Sequence, residues 1–593
     1  MTDNEANTDN GNTFVEKIKA MLSQRHNVSV PQITLIETHI SWVFLTGRLV
    51  YKIKKPVNLG FVDFSTLNQR HQFCLEELRL NKRLAPNLYR DVVAITDDQG
   101  AFRINGNGPI IDYVVRLHQF GAGMRFDQLL ENHKLTPEHI KEVAKILAKF
   151  HHDIMASAHA IKPIKPLKHP TQGEPSTLHR ATRENYQRCL PLLKTPDDIE
   201  NINFLSHWSN TEFERIQAFL STRQTTGFIR ECHGDVHLGN IALYNQNVTL
   251  FDCIEFNADF RWIDVINEVS FLVMDLLSRN RQDYATLLLN TYLEITGDYQ
   301  GLSSLRYYLV YRAMVRAKVE LIRTNQNNTR DVHTDADTNV AGNFANNLAD
   351  NARDKTIGDT INETNTQHTT SPYYRYINLA LTLCQARQPL LIIMHGLSGS
   401  GKSTVAKRLQ EKLFLVQIRS DVERKRLFLN NPVTAPTVEP GKGIYTPNAS
   451  AQTYQHLYTL ADHIIQASIN VVVDAAFLRK ADRQRFQQLA QKHNAQFAIL
   501  NCHAEPTVLR DRIQARLKQG NAVSDATLEV LDHQLANKEP LADTEHGGTI
   551  SINTLEPVDG NALLHALLNL AKTKSSDRKK SIDKKNTKHA VTD

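Results

Sequence analysis

At 593 residues the chain is too long for one hydrophobic core, so two or more domains are expected, and its 41% hydrophobic content is that of an ordinary globular protein. Most of the net charge of +6 sits in residues 572–593, which hold eight Lys/Arg against three acids; the rest is near neutral, which argues against a broad nucleic-acid-binding face. Six scattered cysteines form no CxxC pair and give no metal framework, and neither a signal peptide nor a bilayer-length apolar run is present, so a cytoplasmic chain without membrane contact is expected.

In chain order, residues 1–13 carry no apolar pattern and are expected to be disordered. The periodic FVEKIKAML from Phe14 predicts a helix, and ITLIETHISWVFLTGRLVYKIKKP predicts strands joined by turns. Within LVYKIKK, Lys52 lies on a strand, the place of the phosphate-binding lysine in kinase-like folds. FCLEELRLNKRLAP then predicts a helix ended by Pro86, whose Glu76 or Glu77 could pair with Lys52.

HGDVHLGN, residues 233–240, precedes a hairpin pattern that runs into LFDCIEF. Asp235 and Asn240 stand five residues apart, the D-x4-N spacing of a kinase catalytic loop, and Asp252 ends the second strand. In that pattern Asp235 takes the proton of an acceptor hydroxyl, Asn240 and Asp252 offer hard oxygens to Mg²⁺, and His233 braces the loop. Glu255 fits a place at or beside the metal and a helix-cap or solvated acid equally well, while Arg312 and Arg316 of LRYYLVYRAMVRAKVELIR are expected on a solvated helix face.

These residues resemble the aminoglycoside phosphotransferase and choline kinase group, whose catalytic loop reads HGDxHxxN. The wider stretch, with VYKIKKPVNLGFVDFSTL, GDVHLGNIAL and LFDCIEFN, resembles the N-terminal half of the bacterial bifunctional aminoglycoside phosphotransferase/ATP-binding proteins. The resemblance implies an α+β protein-kinase-like fold of two lobes over residues 14–323. It places Lys52 and Glu77 at the nucleotide, Asp235 in catalysis, and Asn240 and Asp252 at the metal. One departure stands out: no GxGxxG precedes Lys52, so phosphate cover falls to Thr38–Val43 or is absent.

Residues 324–370 hold ten Asn and almost no aromatics, a low-complexity linker between two modules. The second module is placed at 371–571, entered through the helical YYRYINLALTLCQ and followed by a basic disordered tail over 572–593.

LLIIMHGLSGSGKST then reads as strand, phosphate-binding loop and helix. Gly396, Leu397, Ser398, Gly399, Ser400, Gly401, Lys402 and Ser403 fill GxxxxGK[ST] without a mismatch, with Thr404 next on the helix. Glycines let the backbone curl so that N–H groups point at a triphosphate, Lys402 reaches the β- and γ-phosphates, and Ser403 ligates Mg²⁺. Downstream, FLVQIRSD, INVVVDAAF, QFAILNCH and TISIN alternate with helical patterns, which predicts an α/β P-loop domain with a parallel sheet. Asp474 ends the third strand as a Walker B-like metal acid, and Asp421 follows the second as a general base toward the acceptor. Arg510, Arg512 and Arg516 lie on one helix; a lid over ATP needs such guanidinium groups, and Arg512 and Arg516 are the catalytic candidates. This half resembles small-molecule P-loop kinases of the gluconate kinase, adenylate kinase and zeta-toxin-like kind, and RSDVERKRL and VVVDAAF match the P-loop half of the same bifunctional family.

Together the motifs predict an ATP- and Mg²⁺-dependent phosphotransferase with two nucleotide-binding modules and a small hydroxylated acceptor. A polynucleotide 5′-hydroxyl kinase is an alternative that the near-neutral body disfavours; a non-catalytic ATP-sensing switch with a pseudo-kinase N-terminal lobe is another. Neither the acceptor nor the oligomeric state is written in the sequence.

Overall fold

The computed structural model describes residues 5–60, 62–160, 173–331, 372–429, 443–519 and 527–570. The chain divides into two compact units. The described residues of Met1–Glu174, Ser221–Leu272 and Tyr284–Asp298 form unit 1; those of Pro175–Leu220, Val273–Asp283 and Tyr299–Asp593 form unit 2. No described helix is long and apolar enough to cross a membrane.

Helix α1 (Glu5–His26) opens unit 1 and leads to strands β1 (Thr34–Glu37), β2 (Ser41–Leu45) and β3 (Leu49–Lys54). Helix α2 (Leu67–Asn81) follows, then β4 (Tyr89–Asp98), β5 (Ala101–Ile104) and β6 (Ile110–His118). The six strands make one antiparallel sheet in the order β1-β2-β3-β6-β4-β5. Its two faces are read directly from the period-two alternation of β3. Leu49, Tyr51 and Ile53 point to the core made with Val15, Ile18 and Leu22 of α1. Val50 lies on the opposite side with Cys74 of α2, and Lys52 and Lys54 share that side by register. Thr66 caps α2, its hydroxyl accepting from the Gln69 N–H while the Gln69 side chain returns to the Thr66 N–H.

The expectation of disorder over residues 1–13 needs correcting from residue 5 onward, since α1 starts at Glu5. Once Val15, Ile18 and Leu22 dock on the sheet, lengthening the helix toward its N-terminus costs only propagation, which weak formers tolerate.

Unit 1 continues with α3 (Phe126–Glu131) and α4 (Pro137–Ala160). After α5 (Pro175–Cys189) and α6 (Pro196–Thr225) come β7 (Ile229–Glu231), the hairpin β8 (Ile241–Tyr244) and β9 (Asn247–Leu250), and β10 (Trp262–Asp264), which pairs with β7. Helices α7 (Val265–Ser278), α8 (Gln282–Thr296) and α9 (Leu302–Asp331) follow.

Helix α9 runs to Asp331, into the stretch expected to be linker from 324; residues 332–371, like the tail from 571, lie outside the described residues. Helix α10 (Pro372–Cys384) packs along α9, and Arg306 of α9 donates to the carbonyls of Leu383 and Gln385 that end α10. The compact units do not follow chain order, so α5, α9 and α10 fall in the unit that holds the P-loop sheet. Arg312, expected on a solvated face, is buried, and Arg316 lies over the Tyr376 ring of α10, because that face of α9 is covered within unit 2.

The sheet of unit 2 holds β11 (Leu390–His395), β12 (Leu415–Arg419), β13 (Asn470–Asp474), β14 (Gln496–His503) and β15 (Thr549–Asn553), all five strands expected from sequence. They run parallel in the order β12-β13-β11-β14-β15. Helices α11 (Lys402–Gln410), α12 (Ser420–Leu429), α13 (Pro447–Gln466), α14 (Lys480–Lys492), α15 (Pro506–Gln519), α16 (Leu528–Asn537) and α17 (Asp543–His546) alternate with them. Leu391 to Met394 are fully buried, as a central strand covered on both faces requires. Because β11 lies between β13 and β14, the loop at its carboxyl end sits where the strand order reverses, the crevice in which open α/β sheets bind ligands.

Candidate functional site

In unit 1, β3 and α2 bring Lys52 to Glu77: Nζ lies 2.9 Å from Oε1, and 2.5 Å from Asp252 Oδ1 on the far side. Burial disfavours the Lys52 charge, yet Asp252 and Glu77 outweigh it and hold the ammonium well above its ordinary pKa. Burial likewise acts against the Glu77 carboxylate, but Lys52 and Lys54 hold it down to about 2. Of the two glutamates open from sequence, Glu77 is the partner, while Glu76 pairs with Arg79 and Arg261.

The loop between β7 and β8 carries Asp235 and Asn240. Asn240 Nδ2 donates to the Asp235 carbonyl (3.0 Å) and to Asp235 Oδ2 (2.9 Å), so of its side-chain atoms only the oxygen could ligate a metal. The Phe251 N–H donates to the Asn240 carbonyl, and Ile241 pairs with Leu250, so the hairpin places Asn240 and Asp252 at the same end. Asp252 has φ +67, a left-handed conformation that aspartate tolerates better than most residues and that ends the strand. Its N–H donates to Tyr89 Oη at 3.3 Å.

His233 braces this loop as expected. Its Nε2–H donates to the Phe251 carbonyl (2.9 Å) and its Nδ1 accepts the Asp235 N–H (3.2 Å), a pairing that fixes one neutral tautomer. Burial pushes its pKa down, in keeping with that form. Glu268, fully buried at the start of α7, accepts the N–H groups of His233 and Gly234 at 2.8 Å each. His151 of α4 stands 3.3 Å from Glu268 Oε1 and 2.9 Å from Tyr292 Oη. With Cys232, His151 and Glu268 bring N, S and O atoms within 4.8 Å of one another, the make-up of a zinc set. Those atoms already have partners, Cys232 Sγ on the Ile263 carbonyl, His151 on Tyr292 and Glu268, and Glu268 on the loop N–H groups, which is the simpler account of the cluster.

In unit 2 the phosphate loop connects β11 to α11. Gly396, Gly399 and Gly401 have φ of +143, +80 and +81, and a Cβ at Gly396 would lie 2.3 Å from the Cys502 carbonyl oxygen. Side chains there would push the loop off the sheet. Lys402 Nζ donates to the carbonyls of Gly396 (2.9 Å) and Leu397 (2.8 Å), so it closes the loop on itself; burial lowers its pKa against the pull of Asp474. Ser403 Oγ donates to Asp474 Oδ2 at 2.8 Å, and Gln417 Nε2 donates to the same oxygen at 2.9 Å. Burial raises the Asp474 pKa, with Lys402 pulling the other way. The Ser400 hydroxyl is buried in the loop with no hydrogen-bond partner among the described residues. Leu397 packs on Leu509 and Ile513, the Ser398 N–H donates to Gln534 Oε1, and Thr404 is exposed on the first turn of α11.

Asp421 stands in the first turn of α12, and its charge, like that of Arg516, acts on Lys402. Arg512 braces the phosphate loop: it donates to the Gly399 carbonyl at 3.3 Å and to Thr554 Oγ1 at 3.0 Å, because α15 lies against that loop through Leu509. Arg510 turns to Asp532 at the surface. Sequence reasoning missed Lys54, Gln417, Glu268 and His151. Lys54 had a signal, since residues two apart on a strand share a face; the others are joined only by the fold.

Residues 391–541 match the family model described as AAA domain. An uncharacterized protein of Mycobacterium tuberculosis (strain ATCC 25618 / H37Rv) is 27% identical over 519 residues, 87% of this chain and 92% of the relative. Among solved structures, a choline/ethanolamine kinase family protein from Mesorhizobium loti is 13% identical, covering 62% of this chain and 99% of its own, with a TM-score of 0.31. A gluconokinase from Sinorhizobium meliloti 1021 is 20% identical, covering 33% of this chain and 99% of its own, with a TM-score of 0.24.

Proposed function

We propose that this chain is a cytoplasmic ATP-dependent phosphotransferase of the bifunctional aminoglycoside phosphotransferase/ATP-binding kind. In this reading its P-loop unit passes the γ-phosphate of ATP to a hydroxyl of a small-molecule acceptor. The observation that carries the reading is the convergence of Lys402, Ser403 and Asp474 at the carboxyl ends of β11 and β13. Ser403 and Asp474 fit Mg²⁺, being two hard oxygens 2.8 Å apart, one of them a buried carboxylate that a cation would neutralise. When bound, the ion offsets charge on the transferred phosphoryl group. Lys402 exchanges its loop carbonyls for phosphate oxygens, and the buried Ser400 hydroxyl gains a partner in the same loop. Asp421 accepts the acceptor proton, and Arg516 adds positive charge beside Lys402. Arg512 keeps the loop in its curled shape.

Unit 1 supplies the second nucleotide site, with Asp235 at the acceptor hydroxyl, Asn240 and Asp252 at a metal, and Lys52 at phosphate. A pseudo-kinase switch is the second reading for this unit alone. It is favoured by the short turn between β1 and β2, where the Thr38 hydroxyl accepts from the N–H groups of Ile40 and Ser41 and so turns the backbone donors inward.

Parallel assays of ATP-driven ADP release with hydroxylated metabolites and with 5′-hydroxyl RNA ends test the proposal. Release stimulated by a small molecule supports it. Stimulation by RNA alone replaces it with the polynucleotide reading, and nucleotide binding without stimulation by either replaces it with the switch.

A further inference from the structure

Unit 1 buries more charge than one lysine–glutamate pair needs. Lys54 is fully enclosed, its Nζ 2.7 Å from Glu77 Oε2 and in contact with Glu255 Oε1, with the Phe64 ring centroid 4.9 Å away. Glu77, equally enclosed, is thereby shared, one oxygen on Lys52 and the other on Lys54. The order Glu255, Lys54, Glu77, Lys52, Asp252 alternates in sign and ends at a carboxylate that is 45% exposed.

We propose that Lys54 and Glu255 form a charge-matching pair that keeps Lys52 available to nucleotide phosphate, which makes Lys54 a positioning residue for that lysine. The inference rests on reading unit 1 as a nucleotide site. Buried carboxylates compete for the nearest cation, and an ammonium has only three donors to share. While Lys54 satisfies Glu255 and one oxygen of Glu77, Lys52 answers to a single Glu77 oxygen on the inner side. If Lys54 alone is lost, Glu77 and Glu255 both turn to Lys52 and draw it away from the cleft. If both charges of the pair are lost, one lysine and one glutamate remain, and the balance returns. Fold stability does not demand this device, because well-packed apolar residues replace a buried ion pair at little or no cost.

The test uses the full chain carrying Lys402→Ala, so that the P-loop unit does not dominate binding. Lys54→Met, Glu255→Gln and the double variant are compared by calorimetric titration with Mg·ADP and with adenosine, each beside a thermal melt. Lys54→Met is expected to weaken Mg·ADP about ten-fold or more, the worth of a hydrogen bond to a charged group, while adenosine binding changes by about two-fold or less. The double variant is expected to return to within about three-fold of the parent for Mg·ADP. Affinity for both ligands falling together would mark a merely structural role and overturn the proposal. So would a folded Lys54→Met that binds Mg·ADP as the parent does, or a folded double variant that does not recover. Where Lys54→Met fails to fold, the double variant decides alone: binding like the parent supports the pair, and weak binding in a folded protein overturns it. A parent that binds neither ligand contradicts the nucleotide reading of unit 1, and the proposal falls with it.

Discussion

Ser403 Oγ lies 2.8 Å from Asp474 Oδ2, although 71 residues separate the two in the chain. Parallel pairing explains the meeting: Ile393 is in register with Val473, so the loop leaving β11 and the end of β13 open into the same crevice. The pair sets an exposed hydroxyl against a buried carboxylate, the two oxygens proposed above for Mg²⁺, and burying that carboxylate carries a cost to the fold that can be measured.

That cost gives the first prediction. Burial raises the Asp474 pKa in the folded state. A raised folded value means that this group's stabilising contribution is complete below its unfolded pKa and is lost as pH rises through the folded one. Asp474→Asn removes the penalty while keeping an oxygen to accept from Ser403 and Gln417. The variant is expected to melt higher than the parent in metal-free buffer at pH 7, with the gap closing toward pH 4, and to lose about ten-fold or more of its Mg²⁺-dependent ATP affinity. Melting curves across pH and nucleotide titrations with and without Mg²⁺ check both halves.

Lys402→Ala is expected to lower ATP affinity of the P-loop unit by about ten-fold or more, since it deletes a charged phosphate donor. The melt should move little, because Lys402 now bonds only two loop carbonyls and contributes no core volume. Nucleotide titration beside differential scanning calorimetry separates the two effects.

The brace of the unit 1 loop predicts a pH dependence of the opposite sign. Burial works against the Glu268 charge, but His151, His233 and the Gly234 N–H hold the folded value at about 2, below the ordinary 4.5. A depressed carboxylate contributes stability above its unfolded pKa and loses it as pH falls from about 4.5 to about 2, here about 3 kcal/mol in all. Glu268→Gln is therefore expected to be clearly destabilised at pH 7 and to approach the parent only toward pH 2. A constant difference across that range would mean that the charge is not what holds the loop.

How much of this was legible in the sequence depends on whether the chemistry is contiguous. The phosphate loop, the HGDVHLGN loop and all five parallel strands could be read because motif and neighbouring hydrophobic pattern lie in one stretch. Glu77 could be narrowed only to a pair with Glu76. Glu255 was ambiguous between a functional and a capping acid because its partner Lys54 lies 201 residues away, and nothing local announces that contact. A low-complexity stretch marks where a chain need not pack, yet α9 and α10 on either side of it pack together.

Asp235→Asn separates transfer from resemblance in unit 1 and is best placed on a Lys402→Ala background. If Asp235 acts as general base, turnover should fall about 10²- to 10⁴-fold while Mg·ATP still binds. Asp252→Ala should instead weaken Mg·ATP binding, as it removes the carboxylate proposed for the metal and the outer partner of Lys52. Equal effects of both variants on binding would contradict the assigned roles.

The most direct test of the central claim is transfer of labelled γ-phosphate from ATP to a library of small hydroxylated molecules, run with the parent chain and with Lys402→Ala. The expected result is a labelled, acceptor-dependent product from the parent that falls by about 100-fold or more when Lys402 is removed. A product formed equally by both chains, or tight ATP binding by the parent with no labelled acceptor from any hydroxylated compound, would contradict the claim that the P-loop unit is a small-molecule kinase.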